Sequence, residues 1–156
     1  AAYPIMINQG YGHIINTASM AGLMPTPGMV PYGTTKYAVV GLSHSWRIEA
    51  ARKGVRVSAL CPGAIRTPIL TSGGKFGTMR MNVSEDKIGE NWERVRPMDP
   101  DAFAMQVLQR VVKNDATIIA PSWWRIVWWI NRLCPPLGCW LAAQNHKQLL
   151  RMESRQ

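Results

Sequence analysis

Pro31-Tyr32-Gly33-Thr34-Thr35-Lys36-Tyr37-Ala38 is the stretch whose reading decides the fold. On a helix, a spacing of four places Tyr32 and Lys36 on one face, where a phenol and an ammonium can meet at one spot. Downstream, Arg52 and Lys53 precede Gly54, the pattern of a helix end with cations at the carbonyl pole and glycine in the left-handed region. The predicted helix therefore carries Tyr32 to about Lys53, with Pro31 in its first turn. On either side lies a short run suited to a buried strand, residues 13–18 before it and 55–60 after it. The first run ends at Ser19 and the second is stopped by Pro62-Gly63. If the two strands are parallel, Ser19 and Pro62 sit on the same sheet edge, where open α/β folds bind ligands.

The rest of the chain extends that pattern. Asp99-Pro100 reads as a helix start, and Ala104, Val107, Leu108 and Val111 give an i, i+3, i+4, i+7 apolar face for packing on a sheet. Residues 116–120 read as a third strand. Residues 1–9 are apolar with a polar end and are expected to be the tail of a helix that begins before Ala1; Gly10 and Gly12 break it. Residues 66–98 hold Gly73-Gly74, Gly77 and Pro97 with weak periodicity, and are expected to form an irregular loop able to act as a lid. The order strand, helix, strand, helix, strand predicts an α/β fold, half of a doubly wound parallel sheet.

With 156 residues, 47% hydrophobic and 17% charged, the chain can bury one modest core. The net charge of +9 is spread along the sequence without a Lys/Arg block, so no nucleic-acid partner is expected. Cys61, Cys134 and Cys139 form neither a metal-ligand pattern nor an even disulfide set, and His13, His44 and His146 lack a ligand-like arrangement. No metal is expected. The cysteine usage and an N-terminus without a basic start or apolar core predict a reducing, cytoplasmic setting.

Tyr32 is a candidate general acid, since an ordinary phenol, with a pKa of about 10, stays protonated at neutral pH. A neighbouring Lys36 favours the phenolate and eases proton donation to an alkoxide. Ser19 could donate a hydrogen bond to the same oxygen, and the glycine of Pro62-Gly63 would let a flat ligand approach the backbone. Each feature alone is commonplace; their ordered combination at one sheet edge points to chemistry on an alcohol or a carbonyl.

Residues 1–120 resemble the short-chain dehydrogenase/reductase family. Gly12-His-Ile-Ile-Asn-Thr-Ala-Ser-Met-Ala-Gly22 resembles its serine strand and loop, Tyr32-Gly-Thr-Thr-Lys36 its YxxxK motif, and Pro62-Gly-Ala-Ile-Arg-Thr67 its PGxxxT segment. The resemblance implies a Rossmann-type domain in which Tyr32 is the acid/base, Ser19 polarises the substrate oxygen, and Lys36 holds the nicotinamide ribose beside Tyr32. It implies that Pro62, Gly63, Ile65 and Thr67 line the nicotinamide pocket and that residues 66–98 form the substrate loop. The cofactor would be NAD or NADP, the substrate a small alcohol or ketone, and the complete protein a homo-oligomer. The family's glycine-rich turn and catalytic asparagine have no counterpart in these 156 residues. The expectation is the C-terminal half of a longer oxidoreductase, with little turnover alone. Phe76, Met79 and Met81 in the loop suggest an apolar substrate, and Ser58 stands where the family often has asparagine. The alternative is a non-catalytic nucleotide-binding or membrane-associated interaction protein on the same fold.

Residues 121–156 read as a separate tryptophan-rich basic helical tail, with Trp123, Trp124, Trp128, Trp129 and Trp140, and from Ala116 to Met152 there is no Asp or Glu. As a helix, residues 122–133 would gather Trp123, Ile126, Val127, Trp129, Ile130 and Leu133 on one face, with Arg125 and Arg132 opposite and Pro135-Pro136 as the end. The segment is too interrupted to span a bilayer, which takes about 20 apolar residues. Burial against the expected preceding half of the protein or against another subunit is the preferred expectation, and peripheral membrane contact through residues 122–133 the alternative.

Overall fold

A computed structural model of the chain describes residues 1–70 and 92–153. Three strands and five helices organise them: α1 (Ala2–Gln9), β1 (Gly12–Thr17), α2 (Val30–Ala51), β2 (Val55–Pro62), α3 (Pro100–Val112), β3 (Thr117–Ala120), α4 (Trp124–Leu133) and α5 (Pro135–Glu153), with single 3-10 turns at Met20–Gly22 and Pro68–Leu70. Gly73-Gly74, Gly77, Phe76, Met79 and Met81 lie outside the described residues, so most of the expected loop does too.

The sheet runs β1-β2-β3 with both pairings parallel, as the strand-helix-strand order predicts. β2 is the middle strand and is buried along nearly its whole length, which is why it reads as an apolar run rather than an alternating one. Among the described residues β1 pairs with β2 alone, leaving its outer edge open. Two buried clusters form the core. Ala50, Val55 and Val57 gather Tyr3, Met6, Ile7, Ile14 and Trp46 at one end, with the Tyr3 and Trp46 rings stacked at 4.9 Å. Ala18, Met20, Val40, Ala59, Cys61 and Ile119 form the other, at the carboxyl ends of the strands.

Local signals end the elements where expected. Gly54 takes φ 72° after α2, and Asp99 Oδ1 accepts the Asp101 and Ala102 backbone N–H groups at 3.0 Å to cap α3. β2 runs two residues beyond the predicted strand: Pro62 has no N–H to donate, and the Gly63 N–H continues the pairing to the Ala120 carbonyl at 2.8 Å.

Two faces differ from the sequence reading. In α3, Ala104 is exposed and Leu108 is 59% exposed, while Phe103, Val107 and Val111 are partly covered. Polar anchors set this rotation: Gln106 Nε2 donates to Ser122 Oγ at 2.7 Å and Arg110 pairs with Asp115 at 3.4 Å, turning residues 103, 106 and 110 inward. In α4 the covered residues are Trp124, Val127, Trp128, Ile130 and Asn131. Pro135, rather than only stopping α4, opens α5, because a proline at the first helical position forgoes a donor that would be unpaired there anyway.

Two part-buried histidines are tied to groups on neighbouring elements. Ser58 Oγ donates to the Asp115 carbonyl at 2.6 Å, so the His13 Nε2 found 2.8 Å from Ser58 Oγ must be the donor in that contact. His44 Nε2 meets Thr117 Oγ1 at 2.8 Å. Burial lowers the pKa of both histidines from the ordinary 6.5, helped by Arg56 and Arg47 at His13 and by Arg47 and Arg132 at His44. The unfolded chain therefore takes up protons before the folded one as pH falls below about 6.5, and stability drops with it. The melting midpoint is expected to fall between pH 7.5 and 5.5, and a His13→Gln, His44→Gln variant to show a flatter profile; an equally steep fall in that variant would assign the effect elsewhere.

Candidate active site

The rung Thr17↔Leu60 places Ser19 and Pro62 two residues beyond the same level of the parallel sheet, so β1 and β2 deliver both to one edge. Ser19 stands in extended backbone (φ −173°, ψ 164°) and caps the turn Met20–Gly22, its Oγ accepting the Ala21 N–H at 3.1 Å. The capping bond uses the oxygen as acceptor and leaves the hydroxyl proton free to donate.

α2 brings Tyr32 and Lys36 to the same edge. Tyr32 lies in its first turn and is 44% exposed. One turn later, Lys36 Nζ donates to the Thr17 carbonyl at 3.1 Å and sits over the Tyr32 ring, 5.5 Å from its centroid and within cation–π range. One acceptor for an ammonium leaves two N–H donors for a ligand. The last carbonyl of β1 thus fixes the lysine, and the lysine lies against the tyrosine.

Gly22 allows this closeness. A Cβ there would lie 2.5 Å from the Lys36 carbonyl oxygen, inside any tolerable contact, so the Ser19 turn can rest on α2 only without a side chain. Beneath them, Cys61 is fully buried, and burial pushes its thiol up to about 12, against smaller opposite effects of the Ser19 backbone hydrogen bond and the Lys36 charge. It stays a thiol at neutral pH and serves as packing.

The segment after β2 forms the other wall. Gly63 is held by the Ala120 carbonyl, Ile65 bridges in parallel to Met98, and Thr67 Oγ1 is 3.4 Å from the Ile65 carbonyl. Arg66 grips Glu93 through two contacts of 2.6 and 3.0 Å. A Cβ on Gly63 would fall on the Trp124 indole, so α4 closes directly over this segment. Asn131, two turns along α4, donates from Nδ2 to the Leu23 carbonyl at 3.0 Å and ties the same helix to the loop after Ser19. Trp124 and Asn131 escape sequence reasoning because their partners lie 61 and 108 residues away. Their spacing of seven, on one face of a helix, was the signal available.

Gly63→Ala is expected to destabilise the chain by about 1–3 kcal/mol, the usual range for overpacking. In a Trp124→Leu background the same change should cost much less. Strictly additive losses in a denaturant double-mutant cycle would show that the two residues do not press on one another.

A second concavity, of about 640 Å³, lies at the opposite sheet edge between Arg47, Gly54, Val55 and Arg56. It contains neither Tyr32 nor Ser19. Among the described residues no group of His, Cys, Asp and Glu could hold a metal, and no helix is long and apolar enough to cross a membrane.

A parallel α/β sheet that brings a serine, a tyrosine and a lysine to its carboxyl edge belongs to the class of open α/β folds that bind ligands at that edge. Residues 1–75 match the family model for short chain dehydrogenase. The chain is 30% identical over 161 residues to Dehydrogenase/reductase SDR family protein 7-like of Drosophila melanogaster, covering 99% of this chain and 46% of that protein. Among solved structures, a short-chain dehydrogenase from Sphingobium yanoikuyae in complex with NADPH is 25% identical with a TM-score of 0.61, covering 98% of this chain and 50% of that one. NAD+-bound xylitol dehydrogenase is 30% identical with a TM-score of 0.50, covering 60% of this chain and 40% of that one. Residues 1–75 thus belong to the short-chain dehydrogenase/reductase family, and the chain as a whole is similar to its members. It spans less than half the length of the curated relatives it matches.

Proposed function

We propose that the chain carries the proton-transfer apparatus of an NAD(P)-dependent oxidoreductase that interconverts an alcohol and a ketone. The observation that carries this reading is the arrangement of Lys36, bound to the Thr17 carbonyl and lying over the Tyr32 ring, beside a serine whose hydroxyl proton is free. Ser19 donates to the substrate oxygen and orients it. Tyr32 gives its proton to that oxygen as negative charge develops there, and takes one back in the oxidative direction. The Lys36 cation offsets the charge left on the phenol oxygen.

The donor set suits a nicotinamide nucleotide. Lys36 has two N–H groups left for ribose hydroxyls, and Tyr32 borders the same place. Pro62, Gly63, Ile65 and Thr67 would line the ring, with Gly63 bare of a side chain. Bound there, the cofactor supplies or accepts the hydride, while the protein supplies orientation and charge. The neighbours in complex with NADPH and with NAD+ leave both cofactors in view.

The test is a chimera in which the preceding half of the Drosophila relative is joined ahead of Ala1, assayed by NADH and NADPH absorbance against a panel of ketones. Turnover lost on Ser19→Ala and on Lys36→Met supports the assignment. Turnover indifferent to both substitutions would refute it.

A further inference from the structure

Helix α4 is apolar on two opposite sides. Its inner side, centred on Trp124, Trp128 and Asn131, lies on the core and on the loop after Ser19. About 180° around the helix stand Ile126, Trp129 and Leu133, which are 65%, 47% and 77% exposed. A helix packed on a water-soluble protein carries polar groups there instead, and one apolar all round is covered by something. Arg125 and Arg132, seven residues apart, form an exposed stripe beside that outer face. α5 adds exposed Leu137, Trp140 and Leu141 within its first two turns.

The surrounding charge says what covers it. From Ala116 to Met152 the chain has no acidic residue, so the charged side chains that α4 and the first two turns of α5 themselves bring to this surface are all cations. A second copy of the chain packed antiparallel on it would set Arg125 and Arg132 beside the same arginines, in a chain already carrying +9. A sheet of phosphates over hydrocarbon satisfies both properties: indole rings favour that boundary, and arginines lay their stems along apolar surface while their heads reach anionic groups.

We propose that the outer face of α4, with the first two turns of α5, docks in the plane of an anionic phospholipid surface. Neither helix crosses the bilayer. Ile126, Trp129 and Leu133 enter the headgroup–acyl boundary, and Arg125 and Arg132 hold lipid phosphates. This reverses the preference for burial against protein that composition alone suggests. The reason is that the inner side of α4 already packs through Trp124 and Trp128, so among the described residues the outer side is left without a packing partner and its cations favour an anionic surface.

The experiment is flotation of the 156-residue chain with vesicles of phosphatidylcholine alone and of phosphatidylcholine with phosphatidylserine. Binding is expected to the mixed vesicles and to weaken at high salt. Arg125→Gln and Arg132→Gln should each weaken it about five-fold. Ile126→Ser, Trp129→Ser and Leu133→Ser together should weaken it by at least about a hundred-fold, and Ile126→Ser with Leu133→Ser alone, at the two mostly exposed positions, should weaken it without changing the melting midpoint. The proposal is overturned if the chain binds neither vesicle, if binding ignores both the arginines and salt, or if the triple substitution instead abolishes a dimer seen by light scattering. None of these outcomes depends on catalytic activity, so the oxidoreductase reading stands or falls separately.

Discussion

Tyr32→Phe is expected to lower ketone turnover in the chimera by about 10²- to 10⁴-fold, the usual contribution of a positioned acid or base. The substitution removes one oxygen and keeps the ring that Lys36 covers. The lysine's bond to the Thr17 carbonyl does not involve the phenol hydroxyl, so cofactor affinity should stay within a few-fold of the parent. The signature is a fall in kcat with little change in cofactor KM. Lys36→Met, in contrast, removes both the cation and the proposed ribose donor and should harm both constants. Folding is not at risk at Tyr32, which is nearly half exposed. Undiminished turnover in Tyr32→Phe, with normal folding, would mean that another group transfers the proton.

Arg47→Met is expected to cost about 3 kcal/mol of folding stability. Arg47 Nη1 donates to the Val57 carbonyl at 2.7 Å and to Asn114 Oδ1 at 3.0 Å, and Nη2 donates to the Asn114 carbonyl at 2.7 Å. One side chain on α2 therefore joins the middle strand to the turn before β3. Asn114 holds the left-handed conformation there, with φ 57°, as a residue just past a helix end often does. Methionine keeps the aliphatic volume but leaves two backbone carbonyls without a charged donor, each costing about 1–3 kcal/mol when buried. The change also removes a positive charge that lowers the pKa of both His13 and His44. Acid sensitivity should therefore shrink as stability drops. A denaturation midpoint unchanged from the parent would show that water replaces the guanidinium without loss.

Much of the frame was legible because it rests on local signals. Gly54 after two cations, Asp99 before a proline, and Ser19 and Pro62 at the ends of apolar runs each report on a few consecutive residues. Those positions fix the parallel order and bring Ser19, Tyr32 and Lys36 to one edge. The faces of α3 and α4 were less legible, since a wide apolar stripe does not say which part of it is covered. Gln106, Arg110 and Asn131 decide that through polar contacts with other elements. The closure of α4 over the segment after β2 depended on Trp124 meeting Gly63, a long-range contact whose only local trace is the spacing of Trp124 and Asn131 on one helix face. The same holds for the His13–Ser58–Asp115 chain, whose members are up to 102 residues apart in sequence.

The open outer edge of β1 has a consequence for handling the molecule and for rebuilding it. Among the described residues no strand pairs with it, and its peptide groups, with Ile15 exposed nearby, form a template for another strand, which favours adhesion between copies. That flank is also a dock for complementation in trans: a separately produced polypeptide offering a parallel strand could zip onto β1 without a covalent join. Soluble yield on co-expression would report such assembly directly.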